Sequence, residues 1–456
     1  MSRFLTKNLF VPLSRARRRR REAMRPTFEH YEAGMKFRQA AINWSETQKR
    51  EWILEKLRFV VRRAALETDY YRDLFQAIDF NPQTDFSFDD FAKLPVLERE
   101  DISAAREKLV SRHIPKEQLE KDATGGSTGT PTEIWLGAEE RGWKESGAAF
   151  SMERIGVPTG AKIAYFWGHH LDPHTADNWR MRLKNFAENI RYFDCFRLSP
   201  EVFRKYHQEF ERWSPDCIVA YATALGHFAE FLKENNLRPK NYPRTCFVTG
   251  AEKLSGEHRR IIEEVFGKPV HERYGGRDFG GAAIQTNPSK NLDYEIDWAW
   301  ALIEPETEAE TSPILVTKLH ADAMPLIRYR VGDVGKFPEN AEIGHPAFRL
   351  CEVVGRELDR IWLPDGKWIM GAELPHLLKS LAVREFMFVQ NEDYSVELQI
   401  IPKDDFNETH RREILRTVRA NLKNLPINVE LVEAIPRTKA NKWRPVMSKV
   451  KVKSEK

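Results

Sequence analysis

Short apolar runs and longer amphipathic segments alternate through the middle of the chain. Three apolar runs are predicted β-strands: Cys217–Tyr221, Thr245–Thr249 and Pro269–Arg273. Two amphipathic segments between them are predicted α-helices: Ala224–Lys233 and Gly256–Phe266, the second closed by Gly267. Strands that alternate with helices at this spacing are parallel, and ligands of parallel sheets lie beyond the carboxyl ends of the strands. The segments that directly follow these strands are therefore candidate site residues.

Similar patterns occur on both flanks of this region. Upstream, Trp52–Leu66 is a predicted long amphipathic helix and Lys162–Trp167 a predicted strand. Downstream, residues 364–367 (PDGK) have the composition of a hairpin turn between the short strands Ile361–Leu363 and Trp368–Met370. The remaining C-terminal elements are two predicted helices and three predicted strands: Gly371–Leu381 and Glu408–Leu422, then Phe386–Gln390, Val396–Ile400 and Asn428–Val432. The pattern predicts an α/β fold with a large N-terminal domain and a small α+β C-terminal domain.

Two of the predicted strands are followed by glycine-containing segments with polar side chains. Gly250-Ala251-Glu252 follows one strand, and residues 274–278 (YGGRD) follow the next. Two later fragments add charge: Arg328–Asp333 (RYRVGD) places a carboxylate after a strand-like run, and Gly355–Asp359 (GRELD) precedes an alternating apolar segment. Each segment also fits a plain turn, where glycine is common.

The segment Thr124–Pro131, with the sequence TGGSTGTP, is rich in glycine and in hydroxyl-bearing residues. Glycines let backbone N–H groups approach an anion closely and the hydroxyls add donors, so the segment is typical of a phosphate-binding loop. No Gly-Lys-Ser/Thr sequence follows, which argues against a P-loop NTPase. By composition alone the segment also fits an ordinary surface loop.

Three histidines follow the predicted strand Lys162–Trp167: His169, His170 and His174. No carboxylate–histidine helix pattern accompanies them, so a metal cluster is disfavoured. They are expected either to line an acyl substrate or to lie in a plain surface loop.

Composition indicates a globular protein rather than a membrane or secreted one. Of 456 residues, 41% are hydrophobic and 31% charged, and the net charge is +4. The four cysteines show no CxxC spacing, which favours a reducing, cytoplasmic compartment. No apolar run approaches the ~18 residues of a membrane span. The net charge gives no indication of nucleic-acid binding.

The first 21 residues differ from the rest of the chain. They contain no acidic residue, and Arg17–Arg21 is an unbroken arginine run preceded by several large apolar residues. This combination suits peripheral contact with an anionic membrane, and a disordered solvated terminus is the alternative.

The order of these motifs resembles the ANL superfamily of adenylate-forming enzymes, which includes acyl-CoA synthetases, peptide-synthetase adenylation domains and luciferases. The motifs are TGGSTGTP, YGGRD, RYRVGD, GRELD and the basic loop Pro436–Arg444 (PRTKANKWR). Within the superfamily, the chain is especially similar to the phenylacetate-CoA ligase group and its CapK-like relatives. The resemblance extends from Trp44 to Lys449. It implies a large adenylate-forming domain with mixed or parallel sheets, joined by a hinge to a small α+β domain.

The resemblance implies nucleotide-binding roles for two groups of residues. The phosphates of ATP would be bound by Thr124, Gly125, Gly126, Ser127, Thr128, Gly129 and Thr130. The adenine pocket would be lined by Gly250, Ala251, Glu252, Tyr274 and Gly275, with Tyr274 offering an aromatic face for stacking.

Five further residues match single positions of the family. Asp278 matches the acidic residue that binds Mg²⁺, Asp333 matches the aspartate that binds both ribose hydroxyls, and Arg356 lies near the same sugar. Asp359 matches the hinge between the two domains. Lys442 matches the catalytic lysine, which contacts the α-phosphate and the attacking carboxylate where negative charge accumulates in the transition state.

The chain departs from the family pattern at several of these motifs. Asp278 stands where most relatives have glutamate. Thr132 stands where many superfamily members have lysine, although the phenylacetate-CoA ligase group resembles this chain there. Some relatives hold a structural zinc with cysteines and histidines near two of the motifs, but the matching stretches here are Ala283-Ile284-Gln285 and Gly344-His345-Pro346, so no zinc is expected there. Asp365-Gly366-Lys367 replaces the Arg-Gly that commonly follows the hinge, which leaves the role of coenzyme A open.

The predicted activity is ATP-dependent activation of a carboxylic acid to an acyl-adenylate, with release of pyrophosphate. The acyl acceptor is expected to be a thiol (coenzyme A or a carrier protein), a hydroxyl or an amine. Transfer of AMP itself to a small molecule and an inactive nucleotide-binding scaffold are the alternatives, and a homodimer is left open. The predicted domains are residues 1–43 (a basic extension), 44–355 (the large domain) and 356–456 (a small mobile domain).

Overall fold

The computed structural model describes most of the chain outside the N-terminus, several loops and the C-terminus. The described residues are 27–123, 132–168, 185–186, 188–196, 198–356, 360–365, 368–370, 374, 378, 382–403, 405–423, 425–436 and 446–450. By internal packing the chain divides into two units: residues 1–331 with 335–353, and residues 332–334 with 354–456.

The helices of the described residues, in chain order, are α1 (Phe28–Ala40), α2 (Glu46–Glu67), α3 (Asp69–Ala77), α4 (Phe88–Ala92), α5 (Arg99–Ala105), α6 (Ala138–Arg154), α7 (Pro200–Trp213), α8 (Ala222–Glu234), α9 (Gly256–Phe266) and α10 (Glu408–Asn421). Short 3₁₀ turns cover Arg106–Leu109 and Lys116–Gln118.

The strands of the first unit are β1 (Glu120–Ala123), β2 (Glu133–Leu136), β3 (Ile163–Trp167), β4 (Ile190–Asp194), β5 (Cys217–Tyr221), β6 (Cys246–Gly250), β7 (Val270–Gly276), β8 (Gly280–Ile284), β9 (Tyr294–Ile296), β10 (Ala301–Pro305), β11 (Thr311–Lys318), β12 (Tyr329–Lys336), β13 (Arg349–Leu350) and β14 (Glu352–Arg356). The boundary between the units passes through β12 and β14. The second unit continues with β15 (Arg360–Trp362), β16 (Trp368–Met370), β17 (Val383–Gln390), β18 (Val396–Pro402), β19 (Ile427–Leu431) and β20 (Val446–Ser448).

An eight-stranded mixed sheet forms the centre of the first unit, with the strand order β13-β9-β8-β7-β6-β5-β3-β4. The pairs from β4 through β7 are parallel, and those from β7 through β13 are antiparallel. The sequence predicted the parallel orientation of β5, β6 and β7. Every residue of β5 and β6 is buried. Strands that are covered on both faces have no alternation of apolar and polar positions, which explains the uninterrupted apolar runs of the sequence.

Local sequence signals set the ends of the helices around this sheet. Ser255 caps the N-terminus of α9 by accepting a hydrogen bond from the His258 backbone N–H. Gly267 ends α9 with a φ of 61°, a conformation that glycine adopts without the steric cost of a Cβ. In α2, the Ser45 cap and Gln48 form a capping box, and a buried apolar face runs along the helix toward Ala64.

Helix α1 lies in the segment that the sequence assigned to a basic extension, and it packs on α6. The buried guanidinium of Arg38 donates to Asp297 at 2.8 Å and to the Ser146 hydroxyl at 2.9 Å. A Cβ on Gly142 would overlap the backbone and side chains at the start of α1, so this glycine permits the close approach of the two helices. Residues 28–40 are therefore an integral part of the first unit, whereas residues 1–26 lie outside the described part of the chain.

The second unit has the predicted α+β character. Its four-stranded sheet has the order β19-β18-β17-β20, and α10 packs its buried residues Ile414 and Val418 into the same apolar cluster as these strands. The predicted hairpin is also present, with β15 antiparallel to β16. The predicted helix Gly371–Leu381 lies mostly outside the described residues. Within the described part of the chain, every helix is too short or too polar to cross a membrane.

Candidate active site

The carboxyl ends of the neighbouring parallel strands β6 and β7 bring the predicted adenine-pocket residues together. In the register of β6 and β7, Thr249 pairs with Glu272, so Gly250 lies beside Arg273 and one residue from Tyr274. A Cβ on Gly250 would stand 3.4 Å from the Arg273 carbonyl oxygen, at ordinary van der Waals distance, which shows how closely the two segments approach each other. The two predicted segments are thus adjacent in space, as the parallel topology implied.

The loop after β6 has an unusual backbone conformation. Ala251 has a φ of 69°, in the left-handed region that non-glycine residues rarely adopt. The next residue, Glu252, accepts a hydrogen bond of 3.2 Å from the Thr223 backbone N–H at the start of α8. A carboxylate at a helix N-terminus satisfies an N–H group that has no partner within the helix and interacts favourably with the helix dipole. Strained backbone of this kind clusters at ligand sites, so the geometry fits a binding loop.

The Tyr-Gly segment after Arg273 is a continuation of β7 rather than the turn that the sequence suggested. The register between β7 and β8 shifts between Tyr274 and Gly275, which marks a β-bulge. A Cβ on Gly275 would overlap the Gly280 backbone, so the bulge needs glycine at this position. Tyr274 itself is buried and its ring lies 5.6 Å from that of Phe279. Bulges near sites re-aim the side chains that follow, and here the bulge directly precedes the turn that contains Asp278.

Asp278, the predicted magnesium ligand, lies in the turn between β7 and β8 and is 8% exposed. One of its carboxylate oxygens accepts a hydrogen bond of 2.9 Å from the hydroxyl of Tyr329, at the start of β12. Tyr329 is fully buried, so this donor holds the carboxylate in one orientation. A carboxylate has several acceptor positions, so Asp278 can accept this bond and still coordinate a cation.

Contacts of the preceding residue, Arg277, connect the Asp278 turn to the strand that leads into the predicted phosphate loop. The Arg277 guanidinium lies 3.9 Å from the carboxylate of Asp122 in β1. Lys144 of α6 donates to the Arg277 carbonyl oxygen at 3.1 Å. In the hairpin of β1 and β2, Ala123 pairs with Glu133, so the two ends of segment 124–131 are adjacent. The segment itself, with all its predicted phosphate ligands, lies outside the described residues.

A positively charged side chain that the sequence analysis did not identify lies at the C-terminal end of segment 124–131. Arg99, the first residue of α5, donates from Nε to the hydroxyl of Thr132 at 2.6 Å. Thr132 is buried and is the first described residue after the loop. Since many superfamily members have lysine at the position of Thr132, Arg99 supplies positive charge next to this position from another element. No motif in the sequence linked Arg99 to Thr132, because the two lie 33 residues apart in sequence.

The predicted ribose residues lie in the second unit and contact each other. Asp333 is inside β12, not after a strand as the sequence suggested, because the burial pattern of β12 continues to Val334 and Gly335. Its carboxylate lies 3.4 Å from Nε of Arg356, in β14. The Asp333 side chain is 16% exposed and that of Arg356 is 41% exposed, so the pair is accessible from solvent.

The other predicted residues of the site lie outside the described residues. These are the catalytic lysine Lys442, the hinge residue Asp359 and the histidines His169, His170 and His174. At the stretches where relatives hold zinc, the Gln285 side chain donates to the Leu292 carbonyl oxygen, and His345 pairs with Glu342. The absence of zinc from these stretches remains a prediction.

Comparison with known proteins agrees with the order of the motifs. Residues 361–449 match the family described as the CapK C-terminal domain. Protein CapK of Staphylococcus aureus is 23% identical over 372 residues, which cover 79% of this chain and 80% of that protein. Phenylacetate-coenzyme A ligase of Pseudomonas putida is 22% identical over 330 residues, covering 68% of this chain and 71% of that protein.

A solved structure extends the likeness to the fold. It is 2-hydroxyisobutyryl-CoA ligase in the postadenylation state in complex with R3-HIB-AMP, with a TM-score of 0.70 and 19% identity over 89% of this chain and 90% of that chain.

The chain is a distant relative of the CapK and phenylacetate-CoA ligase group of ANL adenylate-forming enzymes. The predicted family and fold class are therefore confirmed. This likeness gives a chemical context for the arrangement described above, in which Gly250 at the end of β6 lies beside β7 and Asp278 lies in the turn that follows β7. The likeness leaves the acid and the acceptor open.

Proposed function

We propose that this protein uses ATP to convert a carboxylic acid into an acyl-adenylate and pyrophosphate, and then transfers the acyl group to a thiol or another acceptor. The observation that supports the proposal most strongly is the position of Asp278 relative to β1. Arg277 approaches Asp122 while Asp278 is held by Tyr329, so the proposed metal ligand lies next to the strand that enters the proposed phosphate loop. A metal ligand and a phosphate loop must be neighbours if one cation is to contact both.

The residues present at this position fit a magnesium ion. Mg²⁺ prefers oxygen ligands and is usually bound by one or two carboxylates together with the phosphates of the substrate. Asp278 would be the carboxylate ligand, oriented by the Tyr329 hydroxyl. When bound, Mg²⁺ neutralises charge on the phosphates of ATP. The Arg99 guanidinium next to Thr132 would add positive charge at the other end of the phosphate loop.

The proposed adenine pocket would be formed by residues at the carboxyl ends of β6 and β7. Gly250 leaves space because no side chain projects there, and the left-handed Ala251 turns the chain away from β6. Glu252 fixes this turn to the start of α8 through its bond with Thr223. Tyr274 is buried in the same region, so its role would be to form one wall of the pocket.

In the proposed reaction, a carboxylate oxygen of the acid attacks the α-phosphorus of ATP, the bond from that phosphorus to the pyrophosphate oxygen breaks, and pyrophosphate leaves. The attack brings two anions together, and Lys442 would stabilise the charge that accumulates between them. Asp333, with Arg356 beside it, would bind the ribose hydroxyls. The acyl-adenylate is then a good acyl donor because AMP is a far better leaving group than oxide.

The acceptor is a separate question from the activation step. The similar proteins named above include phenylacetate-coenzyme A ligase, which makes coenzyme A a natural first candidate. The Asp365-Gly366-Lys367 sequence after the hinge differs from the Arg-Gly of many relatives, so a carrier thiol, a hydroxyl or an amine has to be tested in parallel.

The proposal can be tested by mass spectrometry of the reaction products. Purified protein is incubated with ATP, Mg²⁺ and a library of aryl, fatty and amino acids, with coenzyme A added in a second series. We expect an acyl-AMP and pyrophosphate with one class of acid. Asp278→Asn should lower product formation strongly, and Asp89→Asn, at a side chain that is 81% exposed, is the matched control and should not. AMP attached to a molecule that is not an acid would indicate adenylyl transfer instead, and no product with any acid would indicate a scaffold.

A further inference from the structure

Two neighbouring helices on the parallel sheet bring two imidazoles and a carboxylate together. His227 and Glu230 lie on α8, and His258 lies in the first turn of α9. One potential ligand atom of each residue lies within 4.8 Å of the other two. None of the three residues belongs to the proposed ATP site or to any motif shared with the family.

The arrangement follows from helix geometry. Residues three apart on a helix are neighbours on one face, so His227 and Glu230 point to the same side of α8. On α9, His258 lies across from them: its Nε2 is 3.8 Å from an Oε1 of Glu230, and its ring centre is 5.6 Å from that of His227. The side chains of His258 and Glu230 are 19% and 28% exposed, so an ion from solvent can reach them.

Gly226 makes the close approach of His258 possible. A Cβ on Gly226 would overlap the Cγ and Nδ1 atoms of the His258 ring. The Cγ end of the ring therefore packs against Gly226 of α8, while Nε2 faces Glu230. The imidazole is held in one position, with the nitrogen that could bind a metal directed toward the other two residues.

Two imidazoles and one carboxylate form a ligand set that proteins use for Zn²⁺. In a tetrahedral zinc site with Zn–N distances of about 2.0–2.1 Å, ligand atoms lie roughly 3.4 Å apart. The pair of His258 and Glu230 is within a few tenths of an ångström of this spacing, and small side-chain rotations suffice for the third ligand. Imidazole ligands select transition metals over Mg²⁺, which prefers oxygen.

We propose that His227, Glu230 and His258 bind one divalent transition-metal ion, of which Zn²⁺ is the best fit. The bound ion would join α8 to α9. Helix α8 begins directly after β5, and α9 begins after the loop Gly250–Glu252, so the ion would stabilise the positions of two elements that flank the proposed adenine pocket. This site is distinct from the zinc that some relatives hold near the Tyr-Gly motif.

The test is metal binding to protein without an affinity tag. The protein is stripped with a chelator, dialysed, and titrated with Zn²⁺ by calorimetry, with Mg²⁺ present in excess. Co²⁺ is then used as a spectroscopic probe, because its visible absorption reports tetrahedral coordination with nitrogen ligands. We expect one Zn²⁺ per chain, a rise in the melting temperature on binding, and a Co²⁺ spectrum that added Zn²⁺ abolishes.

Variants decide whether these three residues are the ligands. His227→Ala/His258→Ala should lose the site, and Glu230→Gln should weaken binding by at least the roughly 10–100-fold that even outer-shell changes cost. His113→Ala removes an exposed histidine elsewhere and is the matched control. His169→Ala/His170→Ala tests the other histidine pair of the sequence. Circular dichroism of each chelator-treated variant checks that it is folded. If His227→Ala/His258→Ala does not fold, Glu230→Gln alone tests whether these residues bind the metal.

Equal Zn²⁺ affinity in the parent and in Glu230→Gln and His227→Ala/His258→Ala would overturn the proposal. The proposal would also be wrong if His169→Ala/His170→Ala lost the site while His227→Ala/His258→Ala kept it. The same holds if the parent protein bound neither Zn²⁺ nor Co²⁺. Because the readout is binding rather than ligase activity, the result is independent of the function proposed above.

Discussion

The Tyr329 hydroxyl donates a hydrogen bond of 2.9 Å to the Asp278 carboxylate, and both side chains are buried. The two residues are 51 positions apart in sequence: Asp278 lies in the turn between β7 and β8 of the eight-stranded sheet, and Tyr329 lies on β12 of a separate four-stranded sheet, β10-β11-β12-β14. A buried carboxylate is costly without a partner, so Tyr329 both stabilises Asp278 and fixes its direction. If Asp278 is the metal ligand, Tyr329 is its positioning residue.

Replacing this tyrosine should affect both stability and activity. Tyr329→Phe keeps the ring and removes the donor, which should lower the free energy of unfolding by about 1–3 kcal/mol. We also expect slower adenylation that recovers partly at high Mg²⁺ concentration, because the carboxylate is no longer held in place. The measurements are urea denaturation and the Mg²⁺ dependence of pyrophosphate exchange.

Tyr242→Phe is the matched control for this prediction. Tyr242 is also buried, and its hydroxyl lies 2.6 Å from the His207 ring in the region that precedes β6. The Tyr242→Phe variant should have a lower free energy of unfolding, with no change in the Mg²⁺ dependence of pyrophosphate exchange. If Tyr329→Phe and Tyr242→Phe show the same Mg²⁺ dependence of pyrophosphate exchange, Tyr329 does not position Asp278.

Asp333 offers a test of the nucleotide site in the second unit. Asp333→Ala should weaken ATP binding by about 1.5–3 kcal/mol, because the ribose hydroxyls would lose a charged acceptor. Calorimetry with ATP and with AMP measures this loss directly. Asp393→Ala, at an exposed aspartate in the turn between β17 and β18, is the control. Parent-like affinity of Asp333→Ala for both nucleotides would exclude the ribose role.

His271 on β7 predicts a pH dependence of stability. Its Nδ1 donates to the Gln285 carbonyl oxygen at 2.7 Å, and burial lowers the pKa of the ring below its ordinary value. In the unfolded chain His271 binds a proton as the pH falls below about 6.5, whereas the folded chain resists protonation. The unfolded state then binds more protons, so the stability that neutral His271 contributes is present above pH ~6.5 and decreases as the pH falls.

Urea denaturation at pH 7.5 and 5.5 checks this expectation. His271→Gln retains an N–H donor but does not titrate, so its stability should fall less between these pH values than that of the parent. The difference is bounded by about 1.4 kcal/mol per pH unit. The same pH dependence in both proteins would mean that His271 protonates equally well in the folded state.

The arginine-rich N-terminus should be dispensable for catalysis and promote binding to anionic membranes. Deletion of residues 1–21 leaves α1, which begins at Phe28, intact. We expect unchanged pyrophosphate exchange, together with loss of co-sedimentation with vesicles that contain acidic lipid. Binding by the full chain should decrease with salt, because exposed charges are screened over ~8–10 Å at physiological ionic strength. Equal sedimentation of the truncated and full proteins would show that the segment is an ordinary solvated terminus.

The sequence predicted the elements whose signals are local. Strand β5 and helix α9 match their predicted bounds, because a fully buried strand is a continuous apolar run and because Ser255 and Gly267 are local end signals. The limits of β7 and β12 were less accurate. A bulge at Gly275 and burial beyond Asp333 depend on neighbouring strands that the local pattern does not reveal.

For the site, the motifs and the parallel topology predicted that Gly250 and Tyr274 lie side by side. The residues that orient the motifs could not be predicted in the same way. Tyr329 lies within the RYRVGD motif and Arg99 lies outside every motif, but both act through contacts that depend on the packing of distant segments. The same holds for the cluster of His227, Glu230 and His258, whose two helices are adjacent only in the folded chain.

The central claim is that this chain forms an acyl-adenylate with Lys442 as the catalytic residue, and acid-dependent exchange of labelled pyrophosphate into ATP tests it most directly. We expect exchange with one class of carboxylic acid by the parent protein. Lys442→Ala should reduce the rate by roughly 10²–10³-fold, the cost of losing one positioned electrostatic donor. Lys439→Ala, three residues away in the same basic loop, should exchange like the parent. Exchange that no acid stimulates, or a Lys442→Ala rate equal to that of Lys439→Ala, would contradict the account.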